Sequence, residues 1–145
     1  MKRLLLIILP VLALVAVDAH AQVAVVANPS VKVQPLDART LLDMYTGAIK
    51  NWDGGTPIVL VDQKDRTDIR SAFYRYLGMS ASRLKSIWMK NLLAGEGSPP
   101  ESISTEEELL LRVASTPGAL GYASLDKARA ADGVIILLEI PEEGK

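Results

Sequence analysis

The feature that most limits what this chain can form is an alternation of two periods. Short apolar runs rich in β-branched residues, 23-VAVVA-27, 57-PIVLV-61, 119-ALGYAS-124 and 133-GVIILLEI-140, are separated by stretches in which apolar residues recur every three or four positions. The helical phase is clearest over 68–77, where Ile69, Ala72, Phe73, Tyr76 and Leu77 mark one face and Gly78 closes it. Asp37 is placed to cap an earlier helix that buries Leu41, Met44 and Tyr45 and stops at Gly47. A helix from 81 to about 93 turns Leu84, Ile87, Trp88 and Leu92 inward, and Ser104 with Glu107 forms a capping box for a helix over 105–115 that buries Leu110, Val113 and Ala114. Strands that alternate with helices predict an α/β fold: a single three-layer lobe with a mostly parallel sheet, strands at about 23–27, 58–62, 119–124 and 133–140, and helices on both faces.

The first residues, 1-MKRLLLIILPVLALVAVDAHA-21, combine a basic start, an apolar run from Leu4 to Val17 and a small-x-small end. This is the pattern of a secretory signal peptide over 1–21, with cleavage expected near Ala21 and Gln22. The apolar run is shorter than the ~18 residues expected of a membrane-spanning helix, and the chain has no cysteine to carry a lipid. The expectation is therefore a periplasmic or secreted domain over 22–145 with no membrane anchor.

Processing would remove His20, the only histidine, and the chain contains no cysteine. Without imidazole or thiolate there is no Ser-His or Cys-His nucleophile pair, no zinc site of the usual kind and no disulfide. Catalytic residues, metal ligands and cofactors are accordingly not expected. Lys2, Arg3 and Asp18 would leave with the leader, so the remaining charge is slightly acidic and does not point to nucleic acid.

The stretch that carries functional interest is 62-DQKDRTDIRSAF-73, where a strand hands over to a helix. In an open α/β sheet such junctions attract anions, because unpaired amides and the helix dipole meet there. Thr67 supplies an N-cap hydroxyl, Lys64, Arg66 and Arg70 supply positive charge, and Asp62, Asp65 and Asp68 oppose it. On charge alone, an anion site and a solvated, self-neutralising capped loop both fit. Asn28 and Ser30, at the end of the first run, would join the same sheet edge if the first two strands were parallel. Other constellations have plainer readings. Glu106, Glu107 and Glu108 suit the first turn of a helix, and Ser82-x-x-Lys85 lacks the companion elements of penicillin-recognising enzymes. Trp52 and Tyr122 suit the sheet edge and the core, although both have the chemistry to stack on a flat ligand.

The runs Tyr-Thr-Gly-x-Ile-x-Asn-Trp at Tyr45 to Trp52 and Pro-Gly-Ala-x-Gly-Tyr at Pro117 to Tyr122, in this order around the 62–73 junction, resemble the phosphate-binding proteins of the type II periplasmic binding protein superfamily. The resemblance covers nearly the whole chain after residue 21 and implies one lobe of a protein that normally closes two lobes on its ligand. The family's anion loop reads roughly Arg-x-Asp/Glu-Gly-Ser-Gly-Thr. Aligned on Phe73, it places Gln63 at the arginine, Asp65 at the acid, Arg66 and Asp68 at the two glycines, Thr67 at the serine and Ile69 at the threonine. Asp65 and Thr67 keep the family chemistry, and Arg66 can partly replace the cation lost at Gln63. The resemblance therefore implies a non-catalytic exported module that recognises a small oxyanion weakly through Asn28, Ser30, Gln63, Asp65, Arg66, Thr67, Asp68 and Arg70. The alternative is an envelope module that docks on a protein partner, a transporter component or a second copy and has lost its ligand; an enzyme ranks last.

Overall fold

The computed structural model describes residues 22–141; the leader expected over 1–21 lies outside them. The first run becomes β1 (Val23–Ala27), buried along its whole length. Pleating sends Val23, Val25 and Ala27 to one face and Ala24 and Val26 to the other, so each face needs its own cover. One layer is supplied by α1 (Ala38–Tyr45), α2 (Asp68–Leu77) and α3 (Ala81–Leu93), whose Leu41, Tyr45, Phe73, Leu77, Leu84 and Trp88 close over the first face. The other is supplied by α4 (Glu106–Ser115) and α5 (Leu125–Ala130), through Leu109, Leu110, Val113, Leu125 and Ala128. The result is the expected three-layer α/β lobe.

Between the layers lie β1, β2 (Val59–Gln63), β3 (Glu101–Ile103), β4 (Ala119–Ser124) and β5 (Ile135–Ile140), in the order β3-β2-β4-β1-β5. β2 pairs in parallel with β3 and with β4, whereas β1 is antiparallel to both β4 and β5. Four strands thus share a direction and β1 opposes them. Alternation of strands and helices requires crossovers but leaves open which strands become neighbours. Here β1 is wedged between two later strands instead of lying beside β2, and helix-linked parallel pairing does not apply to it.

The local signals act as their chemistry dictates. Asp37 accepts from the Thr40 amide at 2.8 Å and starts α1, and Gly78 ends α2 in the left-handed conformation at φ 67°. The cap of α4 differs from the expected one. Thr105, not Ser104, accepts from the Glu108 amide at 3.2 Å, since adjacent hydroxyls are equivalent cap acceptors by sequence and the helix begins one residue later. Glu106 is then free to accept from the Ser124 amide, tying α4 to the end of β4. Leu92, expected inward, is 46% exposed where the end of α3 runs past the core.

Two glycines in 117-PGALGYAS-124 are fixed by packing. Gly118 has φ +76°, and a Cβ there would lie 2.3 Å from the Pro57 carbonyl oxygen. At Gly121 a Cβ would press Leu109 at 3.0 Å and Val113 at 3.2 Å, so its absence lets α4 sit close on β4. The Gly118 carbonyl also accepts from Trp52 Nε1 at 2.9 Å, which makes Trp52 a buried brace rather than a stacking platform.

Candidate functional site

Gln63 ends β2 and Thr67 caps α2, so the loop between them lies at the carboxyl edge of the parallel strands. Thr67 Oγ1 accepts from the Arg70 amide at 3.0 Å and donates to Gln63 Oε1 at 2.7 Å. One hydroxyl therefore starts the helix and fastens it to the strand. The next amides in line, those of Asp68 and Ile69, find no acceptor among the described residues, as the first turn of any helix requires. Asp65, Arg66, Thr67 and Asp68 are exposed around them, and Ile69 turns into the core. Gln63 is only 3% exposed, and its Nε2 has no partner among the described residues.

Beneath the loop lies a buried carboxylate that the sequence presents only as one acid among several. Asp62 accepts from the Tyr122 hydroxyl at 2.5 Å, the Tyr74 hydroxyl at 2.5 Å and the Gln63 amide at 2.8 Å. Arg70 Nη2 stands 3.5 Å from its other side, with the guanidinium 4.9 Å from the centre of the Tyr74 ring. Burial, followed by the charge of Asp62, pushes the Tyr74 and Tyr122 phenols well above their ordinary value, so both remain donors. Burial alone would lower the Arg70 pKa; Asp62, Tyr74 and Tyr122 together outweigh it, and the net shift is upward. The Tyr122 ring stacks on Phe73 at 3.9 Å, which extends this polar hub into the aromatic core. The spacing of Arg70 and Tyr74, one helical turn apart, is the sequence signal that marks this cluster.

The junction does not gather all the residues expected of it. Gln63, Thr67 and Arg70 are brought into one linked group, with Asp65, Arg66 and Asp68 on its outer surface. Asn28 and Ser30 stand at the opposite edge of the sheet, because β1 runs against β2 and β4. The register pairs Ala27 with Leu120 and Val23 with Ser124, putting the length of a five-residue strand, roughly 17 Å, between Asn28 and the junction. Asn28 is buried and structural: its Nδ2 donates to the carbonyls of Val113 and Ala114, both at 2.9 Å, and its Oδ1 accepts from the Ser30 amide. Ser30 Oγ in turn accepts from the Gly118 amide at 3.0 Å.

No protein-family model matches the chain. Among curated proteins, the phosphate-binding protein PstS of Bacillus subtilis is 33% identical over 119 residues, a match that takes in 73% of this chain and 35% of that protein. Among solved structures, a candidate phosphate ABC transporter substrate-binding protein from Clostridium perfringens with bound phosphate superposes with a TM-score of 0.64 at 24% identity, over 81% of this chain and 45% of the other. An ABC-type phosphate transport receptor from Vibrio cholerae gives a TM-score of 0.63 at 18% identity, over 81% and 46%. PstS from Borrelia burgdorferi gives 0.59 at 16% identity, over 81% and 47%. The chain thus spans about a third of its curated relative and just under half of each solved structure. It is similar to phosphate-binding proteins over this stretch, and it shares the fold of just under half of their solved structures.

Proposed function

We propose that this chain is an exported, non-catalytic binding module in which one lobe recognises a small phosphate-like oxyanion weakly at the start of α2. The observation that carries the reading is the pair of unengaged amides of Asp68 and Ile69, held at the carboxyl edge of the sheet by the Thr67–Gln63 clamp with Arg66 exposed beside them. Such a terminus offers directed N–H donors and the positive end of a helix dipole. Asp65, Arg66, Gln63 and Arg70 complete the proposed set, while Asn28 and Ser30 act from the far edge as supports of the fold.

Weakness follows from geometry. One lobe covers one side of an oxyanion, and the other side stays in water, where charge-assisted bonds exchange readily. Asp68 adds a carboxylate beside the very amides that would meet the ligand. Affinity for inorganic phosphate is therefore placed no tighter than roughly millimolar, about −4 kcal/mol. An amide NMR titration tests this. Shifts at residues 66–70 over the millimolar range support the reading. Silence there at tens of millimolar, on the order of −2 kcal/mol or weaker, removes it and leaves docking on an envelope partner. Export is proposed from the leader pattern, and no helix among the described residues is long and apolar enough to cross a membrane. N-terminal mass spectrometry of envelope material, with a start at Gln22, checks it.

A further inference from the structure

A groove of about 400 Å³ runs along the outer side of α2 from Arg66 to the start of α3. Arg66, Arg70 and Arg75 line it together with Tyr74, Met79 and Ser82, and no carboxylate does, in a chain whose charges as a whole nearly cancel. Among the described residues Arg66 and Arg75 form no ion pair, and Arg70 has only Asp62, at 3.5 Å. The left-handed Gly78 turns the chain so that α3, capped by Ser80, directs its positive end to the same groove through Ser82.

We propose that this groove docks a short acidic peptide segment of a partner protein, with carboxylates at the arginines and an apolar side chain over Met79 and Ala81. The length decides against a single small anion. Arg66 precedes α2 and Arg75 lies in its last turn, so the helical part between them, Asp68 to Arg75, alone rises about 10 Å, the reach of roughly three extended peptide residues. A lone phosphate spans neither end. The floor decides against a purely ionic chain, since half-buried Met79 and Ala81 line the groove and a polyphosphate leaves that apolar surface uncovered. The inference is independent of the oxyanion reading of the junction, although Arg66 and Arg70 serve both.

The test is an amide NMR titration with a blocked Glu-Glu-Leu-Glu-Glu peptide, its Gln-Gln-Leu-Gln-Gln counterpart, inorganic tripolyphosphate and inorganic phosphate. The acidic peptide is expected to shift Arg75, Met79 and Ser82, and the amide peptide to leave them still. Arg75→Glu and Met79→Ser should each weaken the acidic peptide by about three- to tenfold, and Arg75→Glu should leave any phosphate response at residues 66–69 in place. Arg75 is exposed and Met79 packs half-buried at the margin of the core, so thermal unfolding verifies that the variants remain folded. The proposal is overturned if these amides do not move at several millimolar peptide, if the amide peptide binds equally, if Arg75→Glu has no effect, or if tripolyphosphate occupies the groove more tightly. A silent junction with an Arg75-dependent peptide response would remove the oxyanion reading alone; the reverse would remove the groove alone.

Discussion

The Tyr122 hydroxyl donates to Asp62 Oδ1 at 2.5 Å, joining the middle of β4 to the end of β2 inside the core. Tyr74 brings α2 to the same carboxylate, so one side chain ties two strands and a helix together directly beneath the candidate site. Asp62→Ala would leave two buried phenols and Arg70 without their common acceptor. The expected loss is about 3–5 kcal/mol of folding stability, measured by urea unfolding. Tyr74→Phe and Tyr122→Phe should each cost less, about 1–2 kcal/mol, since the carboxylate keeps its remaining donors.

The same cluster sets a response to alkali. Burial first, and Asp62 second, raise the phenols of Tyr45, Tyr74 and Tyr122 above their ordinary value of 10.0. The folded state therefore holds these protons more tightly than the unfolded state does. Its advantage is complete below pH 10 and is lost progressively as pH rises above it. Phenolate absorbance should appear for these three residues together with loss of the circular-dichroism signal. Ionisation of all three in a chain that stays folded would contradict the buried hub.

Asn28 separates support from recognition. Asn28→Ala removes two bonds to the end of α4 and one to the Ser30 amide, and should cost about 2–3 kcal/mol in urea unfolding. Phosphate-induced shifts at residues 66–69 should be unchanged in the variant, because the two regions lie at opposite sheet edges. A selective loss of those shifts would restore Asn28 to the site.

Asp68 and Arg66 are expected to move affinity in opposite directions. Asp68→Gly takes away a repelling carboxylate and should strengthen phosphate binding by about three- to tenfold, while Arg66→Ala weakens it by a similar factor. The gain has a structural cost, because Asp68 also favours the start of α2 and glycine is a poor helix former; about 1 kcal/mol of stability should be lost. Parallel NMR and unfolding measurements on both variants check the two effects.

The parts of the fold that were legible in the sequence are those set by local chemistry. Ile69 and Phe73 give the phase of α2, Leu84 and Trp88 that of α3, and the observed spans, 68–77 and 81–93, coincide with the expected ones. Elements that do not complete two periods were not legible: β3 has three residues and α5 six, too few for a repeat to show. Strand direction was hidden for another reason. Val23, Val25 and Ala27 alternate identically whichever way β1 runs, so pattern alone placed Asn28 at the wrong edge. At the site, Thr67 was recognisable as a cap because a cap acts on its own helix. The role of Asp62 depends on Tyr122, sixty residues away, and no local pattern encodes that meeting.

The position of β1 also governs when this lobe can assemble. Its partners are β4 and β5, so the first strand to be synthesised waits for residues 119–124 and 135–140 before either of its edges is paired. Loop closure over most of the chain must precede the centre of the sheet, which makes folding slow relative to helix formation. A nascent chain ending before residue 119 can form helices but cannot close its sheet.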